Sequence, residues 1–312
     1  MDMLDMKGRD IVSIGDFTVD EIEGILDLAQ NMVPIAKGEK TSKILDGKIL
    51  AAFFFEPSTR TKLSFESAML RLGGGIIGFA NPKGTSASKG ETLADTIRMA
   101  EAYSDVIVLR HPREGAARLA AKFSEKPVIN AGDGAGQHPT QTLLDLFTIR
   151  SEKGAIGGLH INLVGDLKYG RTVHSLAHAL AMFGAKLSFT APPELQMPDH
   201  VIKDVRQYGI EPEIHTSLED SVSDSDVLYV TRIQKERFPD LAEYEKVAGA
   251  YRIDLDLLDK AKSDVIIMHP LPRVNEISPE VDDTRNAKYF TQAFNGVPVR
   301  MALLSLVLGV SE

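Results

Sequence analysis

Short apolar runs ending in polar or basic residues alternate along this chain with stretches of helical period. Ile49 to Phe55 is apolar throughout and breaks at Pro57, which predicts a buried strand opening into a loop. Before it, Thr18 and Glu21 form a capping-box pattern, and Ile22, Ile25, Leu26 and Ala29 mark the apolar face of a scaffold helix. After Pro57, the residues Phe65, Ala68, Met69 and Leu72 recur at helical spacing until Gly73, Gly74 and Gly75 stop them. Strands are then predicted at Ile76 to Phe79, Val106 to Leu109 and Val128 to Asn130. Helices are predicted over Glu91 to Ala102 and through Leu143, Leu144, Leu146 and Phe147. The small, polar and basic segment Asn81 to Gly90 has the composition of a mobile surface loop.

Near Ser151 to Gly158 the chain turns polar and glycine-rich, the pattern of a domain junction. A second series of the same kind follows. Strands are predicted at Leu159 to Val164, Lys186 to Thr190, Val227 to Val230 and Val265 to Met268. Between the first two, a helix buries Val173, Leu176, Ala177, Leu180 and Phe183, and a last helix, apolar nearly all round, runs from Pro298 to about Leu308. The expected fold is α/β, with two doubly wound domains on mainly parallel sheets and a ligand cleft between them. The first spans 1–150 and is joined by a returning C-terminal helix, 295–312; the second spans 151–294.

Composition narrows the functions available to such a fold. At 312 residues the chain has room for two cores. It has no cysteine, which rules out disulfides and thiolate chemistry and fits intracellular residence. The amino terminus has neither a long apolar run nor the charge pattern of a leader, so no membrane association is expected. The formal net charge of −9 argues against a general nucleic-acid binder, so any clustered arginines must serve a local purpose.

Such a cluster follows the first strand. Ser58, Thr59, Arg60 and Thr61 open a helix, where free backbone N–H groups and the helix dipole favour an anion, hydroxyls add donors and a guanidinium can grip two phosphate oxygens. Capping alone would require one hydroxyl and no arginine. Other strands end alike, in Arg110, in Arg232, in the turn before His138, in the loop before Arg171 and in His269 to Pro272. Ligands of open parallel sheets bind beyond the carboxyl ends of the strands, so these groups are expected in one site. Gly165 to Thr172 resembles a nucleotide-binding P-loop but has Arg171 in place of its lysine, which favours a simple anion contact. His174 and His178 have metal-ligand spacing without a third ligand and read as ordinary helix histidines. His138 sits among polar residues at a strand end, where a neutral imidazole can donate to a carbonyl oxygen; a capping or core role is the alternative.

Taken together, Phe55 to Thr61, Lys89 to Thr92, Asn130 to Gly134, His138 to Thr142, Gly165 to Leu167, Gly170-Arg171, Thr231 to Arg237 and His269 to Arg273 resemble the aspartate carbamoyltransferase catalytic chains. The related ornithine enzymes use a cysteine beside Leu-Pro to bind their amino acid, and this chain has none. The resemblance implies transfer of the carbamoyl group of carbamoyl phosphate to L-aspartate, an early step of pyrimidine synthesis in the cytoplasm. An ornithine or other amino-acid carbamoyltransferase, or a non-catalytic anion or amino-acid sensor, is the alternative. Ser58, Thr59, Arg60, Thr61 and Arg110 would hold phosphate, joined by Ser86, with Thr85 and Ser88 as alternatives to it. Thr61, Arg110 and His138 would face the carbamoyl oxygen, and Gln141, Leu271 and Pro272 the carbamoyl nitrogen. Arg171, Arg232 and Gln234 would take the aspartate carboxylates, with Lys89 serving both aspartate binding and catalysis. The family also implies no metal or organic cofactor, a homotrimer with Ser86 and Lys89 reaching into a neighbour's site, and separate regulatory chains as further partners.

Overall fold

The computed structural model describes residues 4–134, 136–233, 244–245, 247 and 249–310. The chain forms two compact units, Met1–Phe147 with Phe294–Glu312, and Thr148–Ala293.

In the first unit, helix α1 (Val19–Ala36) starts at the expected capping box, with the Glu21 N–H donating to Thr18 Oγ1 at 3.2 Å and the Thr18 N–H to Glu21 Oε2 at 2.8 Å. There follow β1 (Ile49–Phe54), α2 (Thr59–Arg71), β2 (Gly75–Phe79), α3 (Leu93–Tyr103), β3 (Val106–His111), α4 (Ala116–Ala121), β4 (Val128–Asp133) and α5 (Pro139–Lys153). The strands form a parallel sheet in the order β2-β1-β3-β4. Ala51, Ile107, Leu109 and Val128 pack with Ile97 of α3 and Ala120 of α4, which explains the continuous apolar runs in these strands. Ile11 pairs with Ile129 beyond β4, so the amino-terminal segment covers that sheet edge.

In the second unit come β5 (His160–Val164), α6 (Arg171–Met182), β6 (Lys186–Thr190), α7 (Asp199–Arg206), β7 (Glu213–His215), β8 (Val227–Val230), α8 (Leu255–Leu258), β9 (Ile266–Met268) and α9 (Tyr289–Leu308). Its parallel sheet has the order β7-β6-β5-β8-β9. Val164, Leu228, Val230, Ile267 and Tyr289 share its core. The divisions between units fall inside α5 and α9, so helices carry the chain across both times.

Several boundaries differ from expectation. β3 continues through Arg110 and His111, and β4 through the glycine turn to Asp133, because their backbones still pair: Phe54 lies opposite Arg110 and His111 opposite Asp133. Phe183 lies at the C-cap of α6 and is only half-buried. The last helix begins at Tyr289, so Pro298 lies inside it rather than at its start.

Both sheets reverse their winding direction once. The reversal lies between β1 and β3 in the first and between β5 and β8 in the second. At such a point the flanking connections leave on opposite faces and open a crevice at the carboxyl ends of the strands. The β5 end is tightly built. Gly165 has φ +112°, and a Cβ there would lie 2.3 Å from the Thr231 carbonyl oxygen. Gly165→Ala is therefore expected to destabilise the protein by about 3 kcal/mol or more, read as a lowered urea midpoint.

Candidate active site

The loop expected to bind an anion stands at the β1 and β3 ends, where the Phe55 N–H donates to the Arg110 carbonyl at 2.8 Å. Ser58 takes the N-cap position of the 13-residue helix α2, but its side chain makes no capping bond. Thr61 is buried within the first turn, while Thr59 and Arg60 are exposed. Partial desolvation lowers the Arg60 pKa from its ordinary value, but an arginine starting so high keeps its charge at neutral pH. Arg110 is held from two directions. Its Nη1 donates to the Ala131 carbonyl at 3.0 Å, and its Nη2 lies 3.5 Å from Glu56 Oε2.

His138 is delivered by a turn built on two buried polar side chains. Asn130 Nδ2 donates to the carbonyls of Val12 and Gln137 at 3.0 and 3.2 Å, and its Oδ1 accepts from the Gly132 N–H at 2.8 Å. Asp133 Oδ1 accepts from the Gln137 N–H and Asp133 Oδ2 from the Gly115 N–H, each at 2.8 Å. These bonds satisfy the irregular backbone that a turn beneath a site would otherwise leave unpaired. Pro139 then starts α5 without forfeiting a helical hydrogen bond, and His138 is buried immediately before it. Gln141 lies on the first turn, its Nε2 donating to Asp145 Oδ1 at 2.9 Å.

The segment after β2 forms two short turns, Pro82–Gly84 and Ser86–Lys89. Thr85 Oγ1 donates to the Pro82 carbonyl at 2.8 Å and Ser88 Oγ to the Thr85 carbonyl at 2.7 Å, so both hydroxyls serve the loop itself. Ser86 and Lys89 are exposed.

In the second unit, Asp166 is fully buried after Gly165, accepting from the Tyr169 N–H at 3.0 Å. Its own N–H donates to Thr231 Oγ1 at 3.0 Å, which ties the β5 loop to the β8 loop. Arg171 occupies the first position of α6 and Arg232 follows Thr231, so the two arginines belong to the two loops at this sheet's reversal. Arg232 lines a cavity of about 90 Å³ with Gly165, Thr231, Tyr244, Val274 and Glu276. Gln234 lies outside the described residues. A larger open depression, about 400 Å³, is lined by Thr216, Arg252, Asp254 and Lys260 and holds none of the expected residues.

The loop after β9 is organised by His269, which sequence reading valued only as part of a motif. Its Nδ1 accepts from the Leu271 N–H and its Nε2–H donates to Glu276 Oε1, both at 2.8 Å. These bonds define a neutral ring with the proton on Nε2. Burial pushes the Glu276 carboxyl up, but bonds from His269 and from the Glu276 and Val274 N–H groups outweigh it and hold the carboxyl below the ordinary value. Leu271 thereby keeps a left-handed φ of +53°, rare outside glycine, and is followed by a cis bond to Pro272. Arg273 pairs with Asp282 beneath this loop.

No cluster of three potential metal ligands occurs among the described residues. The His174 Nε2–H donates to the Leu167 carbonyl at 2.7 Å, and His178 stacks edge-on against Tyr208, so both histidines are structural. No helix among the described residues is long and apolar enough to cross a membrane.

Residues 9–151 match the carbamoyl-phosphate-binding domain of the aspartate/ornithine carbamoyltransferases, and residues 157–307 match their Asp/Orn-binding domain. The aspartate carbamoyltransferase catalytic subunit of Methanothermobacter thermautotrophicus is 60% identical over 300 residues, 96% of either chain. The crystal structure of the M. jannaschii catalytic subunit is 54% identical with a TM-score of 0.91, covering 96% of this chain and 98% of that one. A Trypanosoma cruzi aspartate transcarbamoylase in complex with carbamoyl phosphate and aspartate is 42% identical with a TM-score of 0.92, covering 98% of each chain. The chain belongs to the aspartate/ornithine carbamoyltransferase family, among its aspartate carbamoyltransferase catalytic subunits.

Proposed function

We propose the following division of labour for transfer of the carbamoyl group of carbamoyl phosphate to L-aspartate. The loop at the β1 and β3 ends takes carbamoyl phosphate: Ser58, Thr59, Arg60, Thr61 and Arg110 hold the phosphate, joined by Ser86. The observation that carries this reading is the α2 N-terminus at the sheet's reversal, with an uncapped Ser58 hydroxyl and the exposed Arg60 guanidinium beside it. The aspartate amine attacks the carbamoyl carbon, and the carbamoyl oxygen gains negative charge as the tetrahedral intermediate forms. Thr61, Arg110 and His138 donate to that oxygen. The intermediate collapses with cleavage of the carbon–oxygen bond to phosphate, and the departing phosphate accepts the amine proton. Gln141 and the Leu271–Pro272 turn accept from the carbamoyl N–H groups. Arg171, Arg232 and Gln234 clamp the aspartate carboxylates, which suits the planar donor fork of arginine. No step calls for a cofactor.

The chain acts in this reading as a cytoplasmic homotrimer in which Ser86 and Lys89 complete a neighbouring subunit's site. Two features support it. Ser86 and Lys89 project from a turn whose other hydroxyls are already engaged. Leu63 and Leu70 on α2, Ile77 on β2 and Met99 and Tyr103 on α3 expose large apolar side chains that an assembled form would cover. The name of the relatives, "catalytic subunit", agrees with regulatory chains as further partners. Mixing inactive Lys89→Ala chains with inactive Arg60→Ala chains is expected to restore activity, because some shared sites then carry neither change. Mixed trimers of verified composition that stay inactive would show that each chain builds its own site.

A further inference from the structure

The first turn of α5 is tied to buried charges that the proposed chemistry does not use. Gln141 donates its amide N–H to Asp145 Oδ1 at 2.9 Å, and Asp145 is fully buried. An ionised carboxylate only accepts hydrogen bonds, so it can pair only with the NH₂ end of the Gln141 amide. The two ends of that amide would otherwise be interchangeable. Asp145 in turn interacts electrostatically with Arg300 of α9, itself buried, whose Nη2 donates to Thr140 Oγ1 at 3.3 Å. The Arg300 guanidinium lies 4.9 Å over the Phe65 ring. Gly296 leaves it room, since a Cβ there would lie 2.1 Å from Arg300 Nη1. Burial lowers the Arg300 pKa to about 9 while the Asp145 charge opposes the shift, so Arg300 stays charged at neutral pH. Removing one partner of such a buried pair leaves the other uncompensated, which accounts for a carboxylate held here under a glutamine.

We propose that Asp145, backed by Arg300, is a positioning residue that fixes the Gln141 amide with its oxygen presented to the ligand, so that the site selects an acyl phosphate bearing N–H over one bearing a methyl group. The inference rests on the reading that Gln141 faces the carbamoyl nitrogen. With the amide fixed, Oε1 accepts from a carbamoyl N–H. Acetyl phosphate, nearly the same shape with a methyl in place of NH₂, leaves that oxygen unpaired. Were the amide free to turn, its NH₂ end would face either ligand and the distinction would fade.

The test compares binding of carbamoyl phosphate, acetyl phosphate and inorganic phosphate to the intact protein and its variants. Asp145→Asn is expected to reduce the preference for carbamoyl over acetyl phosphate by about 10-fold, with inorganic phosphate binding unchanged. The exchange Gln141→Glu with Asp145→Asn moves the donor to position 145 and again turns an oxygen to the ligand, so the preference should return. That exchange keeps one negative charge near Arg300, and it therefore tests the idea even where Asp145→Asn alone does not fold. An undiminished preference in folded Asp145→Asn, equal losses for all three ligands, or no recovery in the exchange would overturn the proposal. Gln141→Ala separates the two levels: an unchanged preference there refutes the reading of Gln141 itself. Its loss there, with none in Asp145→Asn, refutes only the role of Asp145.

Discussion

Arg60→Ala is expected to lower kcat by about 100- to 1,000-fold while leaving thermal stability unchanged. Both halves follow from its position. The side chain is exposed at the first turn of α2 and is not the helix cap, so truncating it should cost the fold little. In the proposed reading it grips the phosphate next to the Ser58 hydroxyl, which makes no capping bond. As the carbon–oxygen bond to phosphate breaks, negative charge gathers on the leaving oxygens. A guanidinium already in place is then worth more than in the ground state, so the loss should appear in kcat as well as in carbamoyl phosphate binding. Arg60→Lys keeps the charge but loses the two-pronged geometry and should recover only part of the rate. A drop in melting temperature matching the loss of activity would mean that Arg60 serves the fold.

Arg232→Ala should raise the KM for aspartate about 100-fold or more and leave carbamoyl phosphate binding nearly unchanged, because its partner would be a carboxylate and not the phosphate. Arg232 follows β8, and its cavity is lined wholly by residues of the second unit, whereas Ser58 to Thr61 and Arg110 belong to the first. A stable molecule joining a phosphonate to aspartate gains affinity by binding through both ends at once, so it should bind far more tightly than either substrate. The same substitution should remove most of that advantage. Calorimetry showing equal losses for carbamoyl phosphate and aspartate would refute the division of labour.

What could be read from the sequence followed the range of each physical signal. Continuous apolar runs located the strands well, and β6 and β8 span the expected residues. Strand ends were harder to read, because Arg110, His111 and Ala131 to Asp133 are held in the ladder by neighbouring strands rather than by their own propensity. Pro298 looked like a helix start, since proline favours first positions, yet the packing of α9 carries it mid-helix. Among the candidate site residues, those proposed from sequence carry chemistry that is local: the hydroxyl and arginine cluster, Arg110 and Arg171. The devices that position them could not. His269 with Glu276, Asn130 with Val12 and Asp145 with Arg300 meet only through the fold, and no periodicity links them.

The most direct test supplies carbamoyl phosphate with L-aspartate and, side by side, with L-ornithine, and follows phosphate release. In the proposed reading the arginines at the β5 and β8 ends pair with a dicarboxylate, and the loop from His269 to Pro272 has no cysteine. Release that depends on aspartate, with none above background for ornithine, is the predicted result. Faster release with ornithine, or none with either, would contradict the account.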